Sequence, residues 1–121
     1  MKVQLRRASE SKEAQVEETW GTLCWLASRE IGNAEGITIG RVVIKKGRSN
    51  PRHSHCNSEE VLYLLRGRLE HTVGRKALIM EPGDTLVVAP GIAHNATSIG
   101  EEDADMIVAY PTGVRHFEVE S

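Results

Sequence analysis

The chain has 121 residues, enough for one domain around one core. Hydrophobic residues make up 40% and charged residues 26%, an ordinary balance for a globular protein. The formal net charge is −2 and apolar runs are only a few residues long, so nothing points to a nucleic-acid or membrane partner.

The first ten residues carry two arginines with no apolar stretch after them. That is not a secretory signal, and a cytoplasmic location is expected. Val3 to Leu5 reads as a short edge strand. Ser9 to Thr19 is polar and reads as a loop or one turn of helix. From there the pattern is β throughout, and no segment has a helical period. Leu23 to Ala27 is a strand bounded by Gly21 and the Gly32-Asn33 turn. Ile37 to Ile44 is rich in β-branched residues and stops at Lys45-Lys46-Gly47. Val61 to Leu65 is apolar and ends at Arg66-Gly67. Leu69, His71 and Val73 alternate with Arg68, Glu70 and Thr72. Gly74-Arg75 marks a hairpin, and Ala77 to Met80 returns. Glu81-Pro82-Gly83-Asp84 has the residues of a type II turn. Leu86 to Val88, Met106 to Tyr110 and Phe117 to Val119 complete the series. Many short strands punctuated by glycine and proline indicate a sandwich or barrel.

Three histidines and a glutamate stand out within this β pattern. His53 and His55 are two apart, so on a strand their rings share a face. Glu60 opens one apolar run and His94 another. Imidazoles with a carboxylate form the ligand set of a first-row transition metal. Such a group directed into one small core is hard to satisfy without a cation, because an unpaired buried carboxylate costs several kcal/mol. Glu59 and Glu60 face opposite ways on a strand, and both parities are otherwise apolar, so alternation alone does not choose between them.

His71 shares parity with Leu69 and Val73. It reads either as a pocket acid/base or donor to a ligand, or as a half-buried cross-strand partner. His116, near the C-terminus, reads as solvated. Cys24 reads as a small core residue and Cys56 as a loop residue; two separated cysteines make no disulfide framework. Trp20, Trp25, Tyr63 and Tyr110 could line a pocket, but with aromatics at only 4% of the chain they read as core or dimer contacts. Arg41, Arg48 and Arg52 have the chemistry to hold an anion, although solvated rim positions suit them as well. There is no phosphate-binding glycine loop and no serine-nucleophile elbow.

The two histidine-bearing runs resemble the motifs of the cupin superfamily. Gly47, His53, His55, Glu60 and Gly67 match G-x5-H-x-H-x3–4-E-x6-G in full, with the four-residue spacer. Gly83, Gly91 and His94 match G-x5-P-x-G-x2-H-x3-N, with Ala89 in place of the proline and Ser98 in place of the asparagine. Fifteen residues, 68 to 82, separate the motifs, as in small single-domain cupins. The resemblance implies a jelly-roll β-barrel of two antiparallel sheets over residues 21–121. An N-terminal arm, residues 1–20, would form an edge strand or cross to a partner in a homodimer. It also implies one Mn, Fe, Ni or Zn ion on His53, His55, Glu60 and His94, with two positions left for a small-molecule substrate.

Fold does not determine function, and three readings stand. One is a metal-dependent isomerase, epimerase or lyase on a small sugar-derived or carboxylate substrate, with His71 moving the proton. The second is a metal-dependent dioxygenase. The third is a non-catalytic module that binds or senses a small molecule. The sequence shows no evident apolar aromatic pocket, which favours the first.

Overall fold

The computed structural model describes residues 3–120. Two antiparallel sheets face each other across one core, in a jelly-roll arrangement. The first is six-stranded: β1 (Val16–Glu18), β2 (Gly21–Ala27), β3 (Thr38–Ile44), β10 (Ala104–Tyr110), β5 (Glu60–Arg66) and β8 (Thr85–Val88), in that spatial order. The second is five-stranded: β11 (Glu118–Val119), β4 (His53–Ser54), β9 (His94–Ser98), β6 (Leu69–Val73) and β7 (Lys76–Met80). The two sheets are not hydrogen-bonded into a closed barrel.

Strand alternation explains the core. On β5, Leu62 and Leu64 point inward, while Tyr63 and Leu65 point out. On β10 the inward set is Ala104, Met106, Val108 and Tyr110. The register Met106↔Leu64 and Val108↔Leu62 stacks these side chains across the strand pair. Ile44, Leu64, Leu69 and Met106 are fully buried, and each contributes about 1.5–3 kcal/mol through burial. Ile44, Leu64 and Leu69 form an apolar half of the core, away from the cavity that Met106 lines. The other end of the same strands carries Glu60, Tyr110, His71, His94 and His53, so a polar cluster sits at one end of an otherwise apolar sandwich.

Two glycines of the motifs have identifiable duties. Gly67 ends β5 at φ +85°, and a Cβ there would lie 2.7 Å from the Ala104 Cα, so only glycine lets the chain pass β10. Gly83 has φ +93° in the turn after Pro82, and the Asp84 N–H donates to the Glu81 carbonyl at 3.0 Å, as the expected type II turn requires.

The first twenty residues depart from expectation. Val3 to Leu5 has no regular structure and is exposed, because it finds no partner edge within the chain. A short helix, α1 (Ala8–Glu13), forms where only a loop or single turn was expected. It is held at its start by the Arg7 N–H donating to Glu10 Oε2 at 2.7 Å. Val16–Glu18, within the stretch read as polar loop, is the edge strand of the first sheet. Cys24 faces outward beneath α1, its thiol donating to the Ser11 carbonyl at 3.3 Å, because Leu23 and Trp25 take the inward parity. It is therefore not a core residue. Both cysteines are free.

Candidate metal centre

The four motif residues converge. His53 stands on β4, His55 just after it, Glu60 at the start of β5 and His94 at the start of β9, with His53 directly opposite His94. All four are buried, and their donor atoms lie within 4.8 Å of one another. That span is comparable to the ~4 Å across a single ion with ligand bonds of ~2.0–2.2 Å. Glu60 points inward at 4% exposure, whereas Glu59 is exposed. The choice left open by parity is settled by β5: its inward set is Glu60, Leu62 and Leu64.

Each ring is oriented by its other nitrogen. His53 Nδ1 donates to the Pro51 carbonyl at 2.7 Å, and His94 Nδ1 to the Ile92 carbonyl at 2.9 Å. His55 Nδ1 donates to the carbonyl of His116, 61 residues away, at 2.7 Å. A carbonyl only accepts, so each Nδ1 carries the hydrogen and each Nε2 keeps a lone pair for a ligand. The Nε2 atoms of His55 and His94 are buried with no hydrogen-bond partner. They face Glu60 from 3.7 and 3.5 Å, too far for good hydrogen bonds. Tyr110 holds the carboxylate from the other side, its hydroxyl donating to Glu60 Oε2 at 3.1 Å. Orphaned imidazole nitrogens around a fixed carboxylate fit a divalent metal ion.

The electrostatics agree. Burial would push the Glu60 carboxyl up, but the facing His55 and His94 rings outweigh it and hold it well below the usual range. Burial would lower His94, and the Glu60 carboxylate outweighs that, so its pKa is raised. Burial dominates at His53, which falls to about 4. Tyr110 is pushed up by burial and by the Glu60 charge.

His71 lies at the same end of the core, 2% exposed, with its ring stacked at 5.7 Å on His94. Neither ring nitrogen has a partner, and burial lowers its pKa to about 4. It is thus not a half-buried cross-strand residue. It lines a cavity of about 300 Å³ that opens onto the ligand cluster. The wall is largely apolar: Trp20, Trp25, Tyr110 and Phe117, with Leu23, Val42, Leu62, Met106 and Val108. This corrects the expectation of no apolar aromatic pocket, and with it the reason for preferring a non-oxidative reaction. The aromatics come from the β1–β2 turn, β2, β10 and the C-terminal segment, and the sheet pairing brings them together. Tyr63 lies on the outer face instead.

The C-terminal segment is the part the sequence did not announce. His116 is exposed as expected, but its carbonyl orients His55, and its Nδ1 lies 3.0 Å from Cys56 Sγ. Phe117 stacks on His53 with ring centres 4.7 Å apart. The side chain of Asn57 clamps this segment, donating to the Val114 carbonyl at 2.8 Å and accepting from the His116 N–H at 2.9 Å. The arginines weighed as anion holders are occupied or exposed. Arg41 forms a two-pronged pair with Asp105 on the outer face. Arg52 is tied to Glu120, Thr72 and the Gly74 carbonyl, and Arg48 is exposed.

The site geometry predicts two kinds of response, first to substitution and second to pH. His94→Ala loses most bound zinc in elemental analysis while far-UV circular dichroism keeps its β signature. Glu60→Gln loses more zinc than Glu59→Gln, and Asn57→Ala weakens zinc binding by about tenfold through its hold on His116. Equal loss in the two glutamate variants would contradict the assignment. The second prediction concerns pH. His53 and His71 have folded pKa values of about 4 against 6.5 unfolded, so between those values the unfolded chain binds more protons. Their contribution to stability is present above pH 6.5 and is lost as pH falls toward 4. His94 is raised, so its contribution is already complete below 6.5, and that of Glu60 holds down to its unfolded value of 4.5. The urea midpoint of the metal-free protein therefore drops between pH 6.5 and 4.5; a flat profile would contradict the burial of these rings.

Comparison with known proteins agrees with the architecture. The model of the Cupin domain family matches residues 40–110. Germin-like protein 3-8 of Oryza sativa subsp. japonica is 32% identical over 83 residues, 64% of this chain and 37% of that protein. Oxalate oxidase 1 of Hordeum vulgare is 27% identical over 86 residues, 64% of this chain and 43% of that protein. The chain thus spans about two fifths of the length of these relatives. Among solved structures, the oxalate decarboxylase of Lactobacillus farciminis in complex with formate superposes with a TM-score of 0.81 at 21% identity, over 87% of this chain and 32% of that one. With both motifs in place, the fold shared and the family model matched across its barrel strands, the chain belongs to the cupin family.

Proposed function

We propose that this cupin is a mononuclear metal-dependent enzyme of the isomerase, epimerase or lyase type. Its substrate would be a small carboxylate or sugar-derived molecule. The observation that carries this reading is the opening of the four-donor cluster onto a cavity into which His71 brings two unpartnered ring nitrogens. His53, His55, Glu60 and His94 would hold a divalent ion, which would supply Lewis acidity toward a substrate oxygen. The ion could be Mn, Fe, Ni or Zn. A relative named oxalate oxidase supports a small acid as the substrate class, without fixing the reaction here.

The protein's own groups have separate tasks in this scheme. Tyr110 holds one carboxylate oxygen of Glu60. The backbone carbonyls of Pro51, Ile92 and His116 fix the three rings. His71 is neutral near pH 7, so one nitrogen can donate to the substrate while the other accepts its proton. The apolar wall excludes water from the reacting end.

A dioxygenase is the second reading, favoured by that apolar aromatic wall. Oxygen uptake by the manganese- or iron-loaded protein separates the two. A non-catalytic binding role predicts ligand affinity with no turnover of any acid or sugar acid. The test residue is His71. His71→Gln is expected to lower kcat by about 10²-fold or more with metal content unchanged. Undiminished turnover would remove His71 from the mechanism.

A homodimer is the assembly we infer. Tyr63, Leu65 and Val87 form an exposed apolar patch on the outer face of the first sheet, with Val61 paired to Val87 beneath it. The unpaired Val3–Leu5 arm is available to cross to the partner. Light scattering should return twice the chain mass, and a monomer at micromolar concentration would contradict this.

A further inference from the structure

The cavity beside the ligand cluster holds a cation that no carboxylate among the described residues neutralises. Arg115 lies between β10 and β11 and lines the cavity wall. Its guanidinium carbon sits 4.4 Å from the Trp25 ring centre, 5.0 Å from that of Phe117 and 5.6 Å from that of Tyr110. Aromatic contacts of this kind orient a guanidinium by its faces and leave its N–H edges for a ligand. Five arginines have carboxylate partners, among them Arg41 with Asp105, Arg52 with Glu120 and Arg68 with Glu81; of those without one, Arg115 is the one that lines this cavity. Among the described residues, the Arg115 guanidinium has no carboxylate within ion-pair distance. Glu18 also lines the cavity, but it stands on the exposed edge strand β1 and does not pair with it.

Arg115 is presented by a pinned segment. Asn57 bonds to the residues on both sides of it, through the Val114 carbonyl and the His116 N–H. Phe117, 5.0 Å from the guanidinium, stacks on the His53 ring at 4.7 Å. One aromatic ring therefore separates the cation from the ligand cluster. The cavity volume, about 300 Å³, corresponds to about ten water molecules at ~30 Å³ each, or a ligand of about ten non-hydrogen atoms. A two-carbon acid would leave most of that apolar space to water.

We propose that Arg115 is the anchor for the carboxylate of a substrate with an apolar body of aromatic size, and so selects the substrate. The carboxylate takes two N–H groups of the guanidinium, the body lies against Trp25 and Phe117, and the far end reaches the cluster at His53 and Glu60. The inference rests on reading this cavity as the substrate site of the metal centre. It makes Arg115 a binding residue, with no part in the bond changes.

The test compares phenylacetate with phenylacetamide, which share shape and differ in charge. Both are titrated calorimetrically into the full chain loaded with zinc, and again after zinc removal by a chelator. The wild-type chain is expected to bind the acid at least tenfold more tightly than the amide in both states. Arg115→Met and Arg115→Gln are expected to abolish that preference while binding zinc as the wild type does. The Gln variant keeps a polar side chain should the Met variant fold poorly. Equal affinity for acid and amide in the wild type, no binding of phenylacetate, or an undiminished preference in the variants would overturn the proposal. Acid preference in a chain that fails to hold zinc would uphold the anchor and end the metal reading; zinc held without acid preference would do the reverse.

Discussion

A carboxylate buried at the end of a β-strand organises this molecule. Glu60 is 4% exposed, and an ionised carboxylate in that position costs several kcal/mol unless it is paired. The surrounding structure can be understood as the compensation. Tyr110 donates a hydrogen bond to it, and His55 and His94 bring imidazole edges to within 4 Å. The same carboxylate raises the pKa of His94. A divalent ion would supply positive charge beside Glu60 and use the Nε2 lone pairs directly.

The division of the sandwich into two ends makes this arrangement affordable to the fold. Ile44, Leu64 and Leu69 form a buried apolar half that lines neither the cavity nor the ligand cluster. The polar half then sits on strands already held in register by their neighbours. Two of the three histidines reach back to a carbonyl two residues earlier, so their orientation is local. His55 is different. It depends on a distant segment that Asn57 clamps and that also carries Phe117 and Arg115. Ligand orientation and cavity shape are consequently coupled through one short stretch of chain.

The alternation of Leu69, His71 and Val73 was readable because a period of two on a half-buried strand assigns a face directly, and His71 is indeed inward. The ligand set was readable because its spacing matches a motif pair. The strand limits of β3, β5, β6 and β7 were readable from glycine, proline and charge at their ends. The aromatic wall was not, since Trp25, Tyr110 and Phe117 are far apart in sequence and their convergence depends on strand order. The role of His116 was not readable either, because it acts through its backbone carbonyl and any residue offers one. Val3 to Leu5 forms no strand within the chain, because a β-prone triplet becomes a strand only where an edge accepts it.

Three imidazole Nε2 atoms, of His53, His55 and His94, together with the Glu60 carboxylate are the set that would hold one divalent ion. X-ray absorption on the zinc-loaded wild-type chain reads that set out. The expected result is a single shell of nitrogen and oxygen neighbours at ~2.0–2.2 Å with the multiple-scattering signature of three imidazoles. A sulfur shell from Cys56, or fewer than three imidazoles, would contradict it.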